Sequence, residues 1–335
     1  MDGVYKKPLM PKEKILITGA AGFIGSHLCE FFVKRGYDIV AFDRYNSNSQ
    51  FGWLDLSPYK KRMKCILGDI RDYESVYKSM KNCKTVIHLA ALIGIPYSYF
   101  SPLAYVKTNI EGTYNILEAA KNLNMKNIII TSTSEVYGSA KYLPIDEDHP
   151  INCQSPYAAS KLAADQLALS FYKSFKLPVK IIRPFNTYGP RQSSRAIIPS
   201  IINQCQRNKN GNIFLGNLYP TRDLSYVEDI CEAFFCVFKS KKLIGEVVNV
   251  GNNSNTSMKN LALKISKLMN VKIRIKSSKY KIRPKLSEVE NLRCNNKKIK
   301  KYTKWKPKTR LENGIKKTIE WIKSNRSYYS DTYTL

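Results

Sequence analysis

The sequence predicts an α/β fold, in which a doubly wound parallel sheet is joined to a smaller, interleaved C-terminal α/β lobe. Two observations predict it. Short β-branched runs alternate with longer amphipathic stretches from Lys14 to about Phe185, and a glycine-rich turn follows the first run. The runs are nearly continuously apolar, as expected for strands that helices cover on both faces. A chain of 335 residues with 43% hydrophobic content suffices for one large or two modest domains.

The predicted elements follow one another in chain order. The predicted strands are KILIT, DIVAFD, KCILGDI, TVIHLAA, NIIITST and VKIIRPF, and the predicted helices cover residues 23–35, 102–123 and 156–175. After Pro190 the pattern is irregular, with a helix at 196–207, a strand NIFLG and a helix from about Val227. The run GEVVNVG reads as a buried strand, so we expect the chain to return to the sheet there, before the basic C-terminal helices and a strand KIRIK.

A glycine loop connects the first strand to the first helix. Its residues are Gly19-Ala-Ala-Gly22-Phe23-Ile24-Gly25. Glycines permit a tight turn and let the backbone approach a pyrophosphate, while the helix N-terminus offers unpaired N–H groups. The loop therefore predicts a Rossmann-type domain that binds a dinucleotide. We place this domain at residues 1–186, with 224–252 returning to it, and a substrate-binding domain at 187–223 and 253–335.

The end of the second strand indicates which dinucleotide binds. Asp43 stands there, and a carboxylate at that point accepts both ribose hydroxyls and repels a 2′-phosphate. This favours NAD as the cofactor. The adjacent Arg44 would accommodate a 2′-phosphate, so NADP stays open as the alternative.

The segment YAASK supplies a candidate acid–base pair. Tyr157 and Lys161 lie one turn apart on a predicted helix, so both side chains project from the same face. A phenol has an unperturbed pKa of about 10, and a nearby ammonium favours the phenolate. We therefore expect Lys161 to bring the pKa of Tyr157 towards neutrality, with Tyr157 acting as the catalytic base.

Hydroxyl and carboxyl groups follow the fifth predicted strand. Thr133, Ser134 and Glu135 come directly after it, at the edge of the sheet where such folds bind ligands. Together with the GxxGxxG loop and the YxxxK pair, these residues resemble the extended short-chain dehydrogenases/reductases, the NAD-dependent epimerase/dehydratase family.

Longer stretches are similar to the nucleotide-sugar (UDP-N-acetylglucosamine) 4,6-dehydratases of legionaminic-acid biosynthesis, and the similarity covers nearly the whole chain. They are HLAALIGIPYSY, TSTSEVYG, SPYAASK, RPFNTYGPRQSSRAIIPSII and PTRDLSYVEDI. The resemblance implies that Asp69 and Ile70 contact the adenine and that Leu89, Ala90 and Ala91 pass beside the cofactor. It also implies that Asn186, Arg191, Arg222 and Arg283 hold the nucleotide diphosphate, and that the protein is a homodimer through the helices at 102–123 and 156–175.

The same resemblance implies a reaction. Thr133 hydrogen-bonds the sugar hydroxyl that is oxidised at C4, and Glu135 removes the C5 proton so that water leaves from C6. Sugar dehydratases acting on dTDP-glucose usually carry an aspartate where this chain has Ser134. In this chain, Ser134 and Thr133 would relay the proton instead. The Thr-Ser-Glu order also resembles UDP-glucuronic acid decarboxylases. A decarboxylase and then a 4-epimerase remain alternatives, as do UDP and GDP as the nucleotide.

Composition and charge indicate which partners and sites to expect besides the nucleotide sugar. The net charge is +29, concentrated after Ser257, but no recognition motif accompanies it, so we expect no nucleic-acid partner; a polyanion-binding protein is the alternative of a different class. The eight cysteines form no CxxC pair and the three histidines are far apart, which predicts no metal site. No apolar run is long enough to cross a bilayer, so we expect a cytoplasmic protein without membrane contact.

Overall fold

The structure, a computed structural model, describes residues 13–207 and 211–329. Three parts of the predicted domains lie outside the described residues, namely 1–12, 208–210 and 330–335. The strands are β1 (Lys14–Thr18), β2 (Asp38–Arg44), β3 (Met63–Gly68), β4 (Thr85–His88), β5 (Asn127–Thr131), β6 (Val179–Pro184), β7 (Asn186–Tyr188), β8 (Asn212–Leu215), β9 (Thr221–Arg222), β10 (Leu224–Tyr226), β11 (Val247–Val250), β12 (Thr256–Ser257) and β13 (Arg274–Ser277). The helices are α1 (Phe23–Lys34), α2 (Tyr73–Met80), α3 (Ile95–Phe100), α4 (Pro102–Tyr105), α5 (Gly112–Asn122), α6 (Pro156–Phe175), α7 (Ile197–Arg207), α8 (Val227–Lys239), α9 (Met258–Met269), α10 (Lys297–Tyr302) and α11 (Leu311–Ser324).

Seven parallel strands form the central sheet, in the order β11-β6-β5-β4-β1-β2-β3. The predicted doubly wound parallel sheet is thereby confirmed. The chain begins at β1, moves outward to β3 and then returns to β4 on the other side of β1. This reversal leaves a crevice at the carboxyl ends of β1 and β4, and such a crevice is where sheets of this kind bind ligands.

Helices cover both faces of the sheet, because successive strand residues point to opposite sides. Ile15 and Ile17 pack on one side with Phe234 of α8, whereas Leu16 packs on the other with Ile116 of α5. All five side chains are buried. Burying one such side chain stabilises the fold by roughly 1.5–3 kcal/mol, so the two apolar layers fix the sheet that carries the site.

Helix α6 spans the residues predicted for it. Its N-cap is Ser155, whose hydroxyl accepts a hydrogen bond from the Ala158 amide, and Pro156 occupies the first turn, where its missing N–H costs nothing. The helix ends at Lys176, which adopts the left-handed conformation typical of a C-cap. These end signals hold the register of the one helix that carries both Tyr157 and Lys161.

The predicted helix at 102–123 contains a π-helical turn. Between α4 and α5 the chain forms a π-helix at Val106–Glu111, a rare conformation that is frequent at functional sites. The turn brings Asn109 between the chain that follows β4 and α6: its side chain pairs with the backbone N–H and C=O of Leu92 and donates to the Ser160 hydroxyl on α6. No apolar pattern distinguishes such a turn from an ordinary helix, so the sequence did not predict it.

The C-terminal part of the chain builds a smaller lobe and also contributes to the sheet. As predicted for GEVVNVG, β11 joins the sheet, where Val247 pairs with Ile181 of β6. The smaller lobe contains the pairs β10–β7, β12–β9 and β13–β8 and helices such as α7, α9 and α11. Within the described residues, no helix combines the length and apolar character that a membrane crossing needs.

Candidate active site

The glycine loop closes tightly on itself at the switch point of the sheet. Gly19 has a φ of +67°, which only glycine adopts freely, and its backbone lies against Ala90 at the end of β4. At Gly25 a Cβ atom would collide with the Gly19 backbone, so the first turn of α1 packs directly on the loop. The loop brings Gly22, the N-cap of α1, and Phe23, its first residue, to the carboxyl end of β1, where the unpaired N–H groups of a helix N-terminus suit a pyrophosphate.

Asp43 lies beside this loop as predicted. Its Oδ2 accepts a hydrogen bond of 2.6 Å from the Ala21 amide, and its Oδ1 accepts one of 2.7 Å from the Arg44 amide. Burial raises the pKa of the Asp43 carboxyl, against the two hydrogen bonds that lower it. Arg44 is exposed. The position next to the loop fits the recognition of ribose hydroxyls.

The other predicted cofactor contacts surround the same crevice. Leu89, Ala90 and Ala91 are half-buried at the end of β4, and the amides of Leu89 and Ala90 both donate to the Thr18 hydroxyl at 3.1 Å. Ile70 is buried and packs on Gly112, and Ile24 belongs to the glycine loop, within the first turn of α1. Asp69 is engaged by Arg71, a partner not predicted from the sequence, and this hydrogen-bonded pair lowers the pKa of Asp69.

Tyr157 and Lys161 lie side by side on α6 in the crevice, and both are buried. The Tyr157 hydroxyl lies close enough to the Thr133 side chain to affect its pKa, so the fold brings these two predicted catalytic groups together. Burial lowers the pKa of Lys161 to about 8.

The expected lowering of the Tyr157 pKa is wrong for this structure. Burial raises the pKa of the Tyr157 hydroxyl, and the nearby Glu135 charge raises it further, while the hydrogen bond to Thr133 lowers it. The loss of water around the ring therefore outweighs the help that was expected from Lys161.

The Thr133–Ser134–Glu135 segment turns sharply as it leaves β5. Thr133 caps a short 3₁₀-helix, and its hydroxyl accepts a hydrogen bond of 3.2 Å from the Glu135 amide. Ser134 and Glu135 are buried, so Glu135 is not a solvated strand-end carboxylate. Its Oε2 lies 3.9 Å from Nη1 of Arg283. The segment thus places a carboxylate within the same site as Tyr157.

Two of the predicted substrate arginines meet around Glu135. Arg222 lies near Glu135 and has its pKa lowered by burial, and its Nη2 is 3.5 Å from Oε1 of Glu288. Nη1 of Arg283 is also 3.9 Å from Glu288 and, within the described chain, makes no hydrogen bond. An unsatisfied buried guanidinium nitrogen is a ready partner for an anionic oxygen.

Asn186 and Arg191 are placed differently. Asn186 on β7 pairs with Leu224 of β10, two residues after Arg222, and its buried Oδ1 has no hydrogen-bond partner among the described residues. Arg191 instead lies against α1, where its Nη2 is 2.8 Å from Oε1 of Glu30. Asn186 therefore lies on the strand that pairs with β10, close in sequence to Arg222, whereas Arg191 lies at α1.

Sequence reasoning missed several groups of the site. Glu288 bridges Arg222 and Arg283, and Asp165 and Arg183 form a buried ion pair beneath Lys161. Glu288 stands in LSEVE close to Arg283, but no spacing rule links it to Arg222 or to Glu135. Asp165 follows Lys161 by one helical turn, and this i,i+4 spacing was the one available signal.

No group of three or more metal-binding side chains occurs within the described residues. The site instead combines a phenol, an ammonium, a carboxylate and two guanidiniums beside a dinucleotide loop. This set can move protons at a sugar while the guanidiniums hold a diphosphate.

Comparisons with known proteins give three related activities. The family model described as GDP-mannose 4,6 dehydratase matches residues 16–318. The dTDP-D-glucose 4,6-dehydratase of Bos taurus is 32% identical over 93% of this chain and 89% of its own length, and the UDP-N-acetyl-alpha-D-glucosaminuronate decarboxylase of Bacillus cytotoxicus is 32% identical over 93% and 98%. The crystal structure of the UDP-glucuronic acid 4-epimerase from Bacillus cereus, in complex with UDP-glucuronic acid and NAD, superposes with a TM-score of 0.84 at 29% identity, over 93% of this chain and 99% of that one.

Proposed function

Because the chain belongs to the GDP-mannose 4,6 dehydratase family, we propose that it is an NAD-dependent nucleotide-sugar 4,6-dehydratase. We propose UDP- or GDP-N-acetylglucosamine as the substrate, in the biosynthesis of a surface glycan or a nonulosonic acid such as legionaminic acid. The observation that carries the proposal is the buried Glu135 beside Tyr157 and Thr133. A 4-epimerase needs no carboxylate at that point, whereas an elimination needs a base for the C5 proton.

The loop residues Gly19–Gly25 and Asp43 would hold NAD, with Leu89, Ala90 and Ala91 along its side. When bound, NAD supplies a hydride acceptor for the oxidation of C4 and returns the hydride to C6. Tyr157 receives the proton of the C4 hydroxyl as phenolate, beside the Lys161 ammonium, and Thr133, which lies next to the Tyr157 hydroxyl, orients the sugar hydroxyl.

The resulting 4-ketone acidifies the neighbouring C5–H, and Glu135 takes that proton. The proton that Tyr157 received passes through Thr133 and Ser134 to the hydroxyl that leaves C6 as water, and Glu135 returns its proton to C5 when the hydride reaches C6. Arg222, Arg283 and Asn186 hold the diphosphate, because guanidinium forks form paired, charge-assisted hydrogen bonds with phosphate oxygens. The arginines therefore fix the sugar at a set distance from Glu135.

A direct test incubates the purified protein with NAD and either UDP- or GDP-N-acetylglucosamine and follows the sugar nucleotide by mass spectrometry. We expect a product lighter by one water molecule. Recovery of intact substrate with both nucleotides would contradict this function. Glu135→Gln should still oxidise C4, seen as reduced nicotinamide absorbance, but should stop elimination; normal turnover by this variant would refute the assignment of the base.

One observation favours a second candidate, a UDP-glucuronic acid decarboxylase. That reaction shares the C4 oxidation but needs a cation for the substrate carboxylate, and Nη1 of Arg283 lies 3.9 Å from Glu135 with no hydrogen bond within the described chain. Release of carbon dioxide from UDP-glucuronate, without water loss from N-acetylglucosamine nucleotides, would establish this alternative.

A further inference from the structure

The guanidinium of Arg183 anchors both ends of the segment that carries Glu135, the proposed base. Arg183 on β6 donates from Nε and Nη2 to Oδ2 of Asp165, at 3.1 and 2.9 Å, and the same oxygen accepts a hydrogen bond of 2.7 Å from the Ser132 hydroxyl. From Nη1, Arg183 donates to the Tyr137 hydroxyl at 2.9 Å. Ser132 directly precedes Thr133, and Tyr137 ends the 3₁₀-helix that contains Glu135.

This network, which we call the Arg183 bracket, consists of Ser132, Asp165, Arg183, Tyr137 and Asn249. The Tyr137 hydroxyl donates to Oδ1 of Asn249 at 2.9 Å, which extends the network to β11. Asp165 and Asn249 are 0% exposed and Arg183 is 3% exposed. Water cannot replace these partners, so the geometry of the bracket is set by the protein alone.

The Arg183 bracket also reaches the Tyr157–Lys161 pair. Asp165 lies one turn after Lys161 on α6, and both side chains are buried. Oδ2 of Asp165 takes all three hydrogen bonds described above, whereas its buried Oδ1 has none within the described chain. The Asp165 charge raises the pKa of Lys161, against the burial that lowers it to about 8.

We propose that Arg183 and Asp165 are positioning residues, which hold the 133–135 segment and the Tyr157–Lys161 pair in one fixed arrangement. The inference rests on the proposed function, because it assigns the bracket a role in aligning Glu135. Within the described residues, the side-chain hydrogen bonds of Arg183 go to Asp165 and Tyr137, so it acts on Glu135 through these two residues.

The first test separates the two chemical steps with Tyr137→Phe. The change removes the hydroxyl that anchors the 3₁₀-helix, so Glu135 is held less firmly, while Tyr157 and Thr133 keep their contacts. We expect elimination to slow by about tenfold or more, since small misplacements of a reacting group cost up to about 100-fold, with C4 oxidation and KM changed less than about threefold. Stopped-flow absorbance of reduced nicotinamide measures oxidation, and mass spectrometry of quenched samples measures elimination.

Tyr188→Phe is the matched control. Tyr188 is equally buried, and its hydroxyl donates to the Leu311 carbonyl at 3.2 Å, outside the bracket. This variant should keep the wild-type ratio of the two rates. If Tyr137→Phe also keeps that ratio, the bracket only stabilises the fold and the proposal is refuted.

The second test uses Asp165→Asn and the pH profile of C4 oxidation. Removing the carboxylate lowers the pKa of Lys161, and the unpaired Arg183 charge lowers it further. The alkaline limb of the profile should therefore move to lower pH by about one unit or more. An unchanged limb in a folded variant would overturn the link from Asp165 to Lys161.

The outcomes separate failure of this inference from failure of the proposed function. If the wild-type protein oxidises C4 but never eliminates water, the dehydratase assignment fails and the pH limb of Asp165→Asn still decides the role of the bracket. If Asp165→Asn does not fold, Ser132→Ala takes its place, because it removes one bond and leaves the ion pair intact. It should lower the ratio of elimination to oxidation, and a wild-type ratio would refute the proposal.

Discussion

The glycine loop allows a sharp prediction for Gly25→Ala. A Cβ at Gly25 would lie 2.0 and 2.8 Å from two backbone atoms of Gly19, closer than real Cβ atoms essentially ever come to another heavy atom. Backbone atoms cannot move aside as a flexible side chain does, so the loop must open. Overpacking of this kind typically costs about 1–3 kcal/mol. The same displacement spoils the surface that would receive the pyrophosphate.

If about 2 kcal/mol of this cost falls on the binding conformation, the affinity for NAD weakens by about 30-fold. Isothermal titration with NAD measures this change, and thermal unfolding confirms that the variant is folded. Gly314→Ala is the control, because its Cβ would collide with the Tyr188 ring instead, away from the loop. It should lower the unfolding temperature without changing the affinity for NAD. A folded Gly25→Ala protein that binds NAD within about twofold of wild type would refute the reasoning.

Three further predictions follow from the site and its surroundings. The pKa of Lys161 is lowered by burial to about 8, so kcat should fall as the pH rises through about 8 and the ammonium loses its proton; a flat profile from pH 7 to about 9 would contradict this. Arg222→Lys should raise KM about tenfold with little change in kcat, whereas Arg191→Lys should leave KM within about twofold and lower the unfolding temperature, because Arg191 pairs with Glu30. If the homodimer implied by the resemblance forms through the helices at 102–123 and 156–175, the double variant Phe100→Glu/Leu103→Glu should run as a monomer in size-exclusion chromatography with light scattering, since these side chains are 70% and 63% exposed at the start of that surface; a dimer of unchanged mass would contradict it.

The sequence predicted the sheet well, because its strands and its glycine loop are local signals. The alternation of apolar runs and amphipathic stretches depends on neighbouring residues, and α6 even has the predicted bounds, since Ser155, Pro156 and Lys176 mark its ends. The Tyr157–Lys161 pair was predictable for the same reason. The π-helical turn at Val106–Glu111 was not, because its apolar spacing matches that of an ordinary helix.

Properties that arise from burial lay beyond sequence reasoning. The pattern YxxxK shows that an ammonium stands near a phenol, but the pKa of Tyr157 depends on how much water surrounds the ring. Glu135 likewise meets Arg283 only because the chain folds back across the crevice. A contact between residues so far apart in the chain produces no periodic pattern in the sequence, so it could not be predicted from it.

The three predicted substrate arginines show that residue type alone does not predict which arginine binds the substrate. Arg191, Arg222 and Arg283 have the same chemistry, and the resemblance implied the same role for each. Among the described residues, buried nitrogens without a hydrogen bond occur on Arg283 (Nη1) and on Arg191 (Nε and Nη1), but only the nitrogen of Arg283 lies near Glu135, at 3.9 Å from its Oε2. Arg191 forms an ion pair with Glu30 on α1. The carbonyl of the preceding residue, Pro190, accepts a hydrogen bond of 3.0 Å from Nε2 of His27 on the same helix. Breaking the Arg191–Glu30 pair would leave a buried carboxylate unpaired, at a cost of about 3–5 kcal/mol, so Nη2 of Arg191 stays at α1. Arg191 therefore joins the Gly189–Arg191 turn to α1, whereas Arg222 and Arg283 lie beside Glu135. The difference between these arginines is one of position in the fold, which residue type does not show.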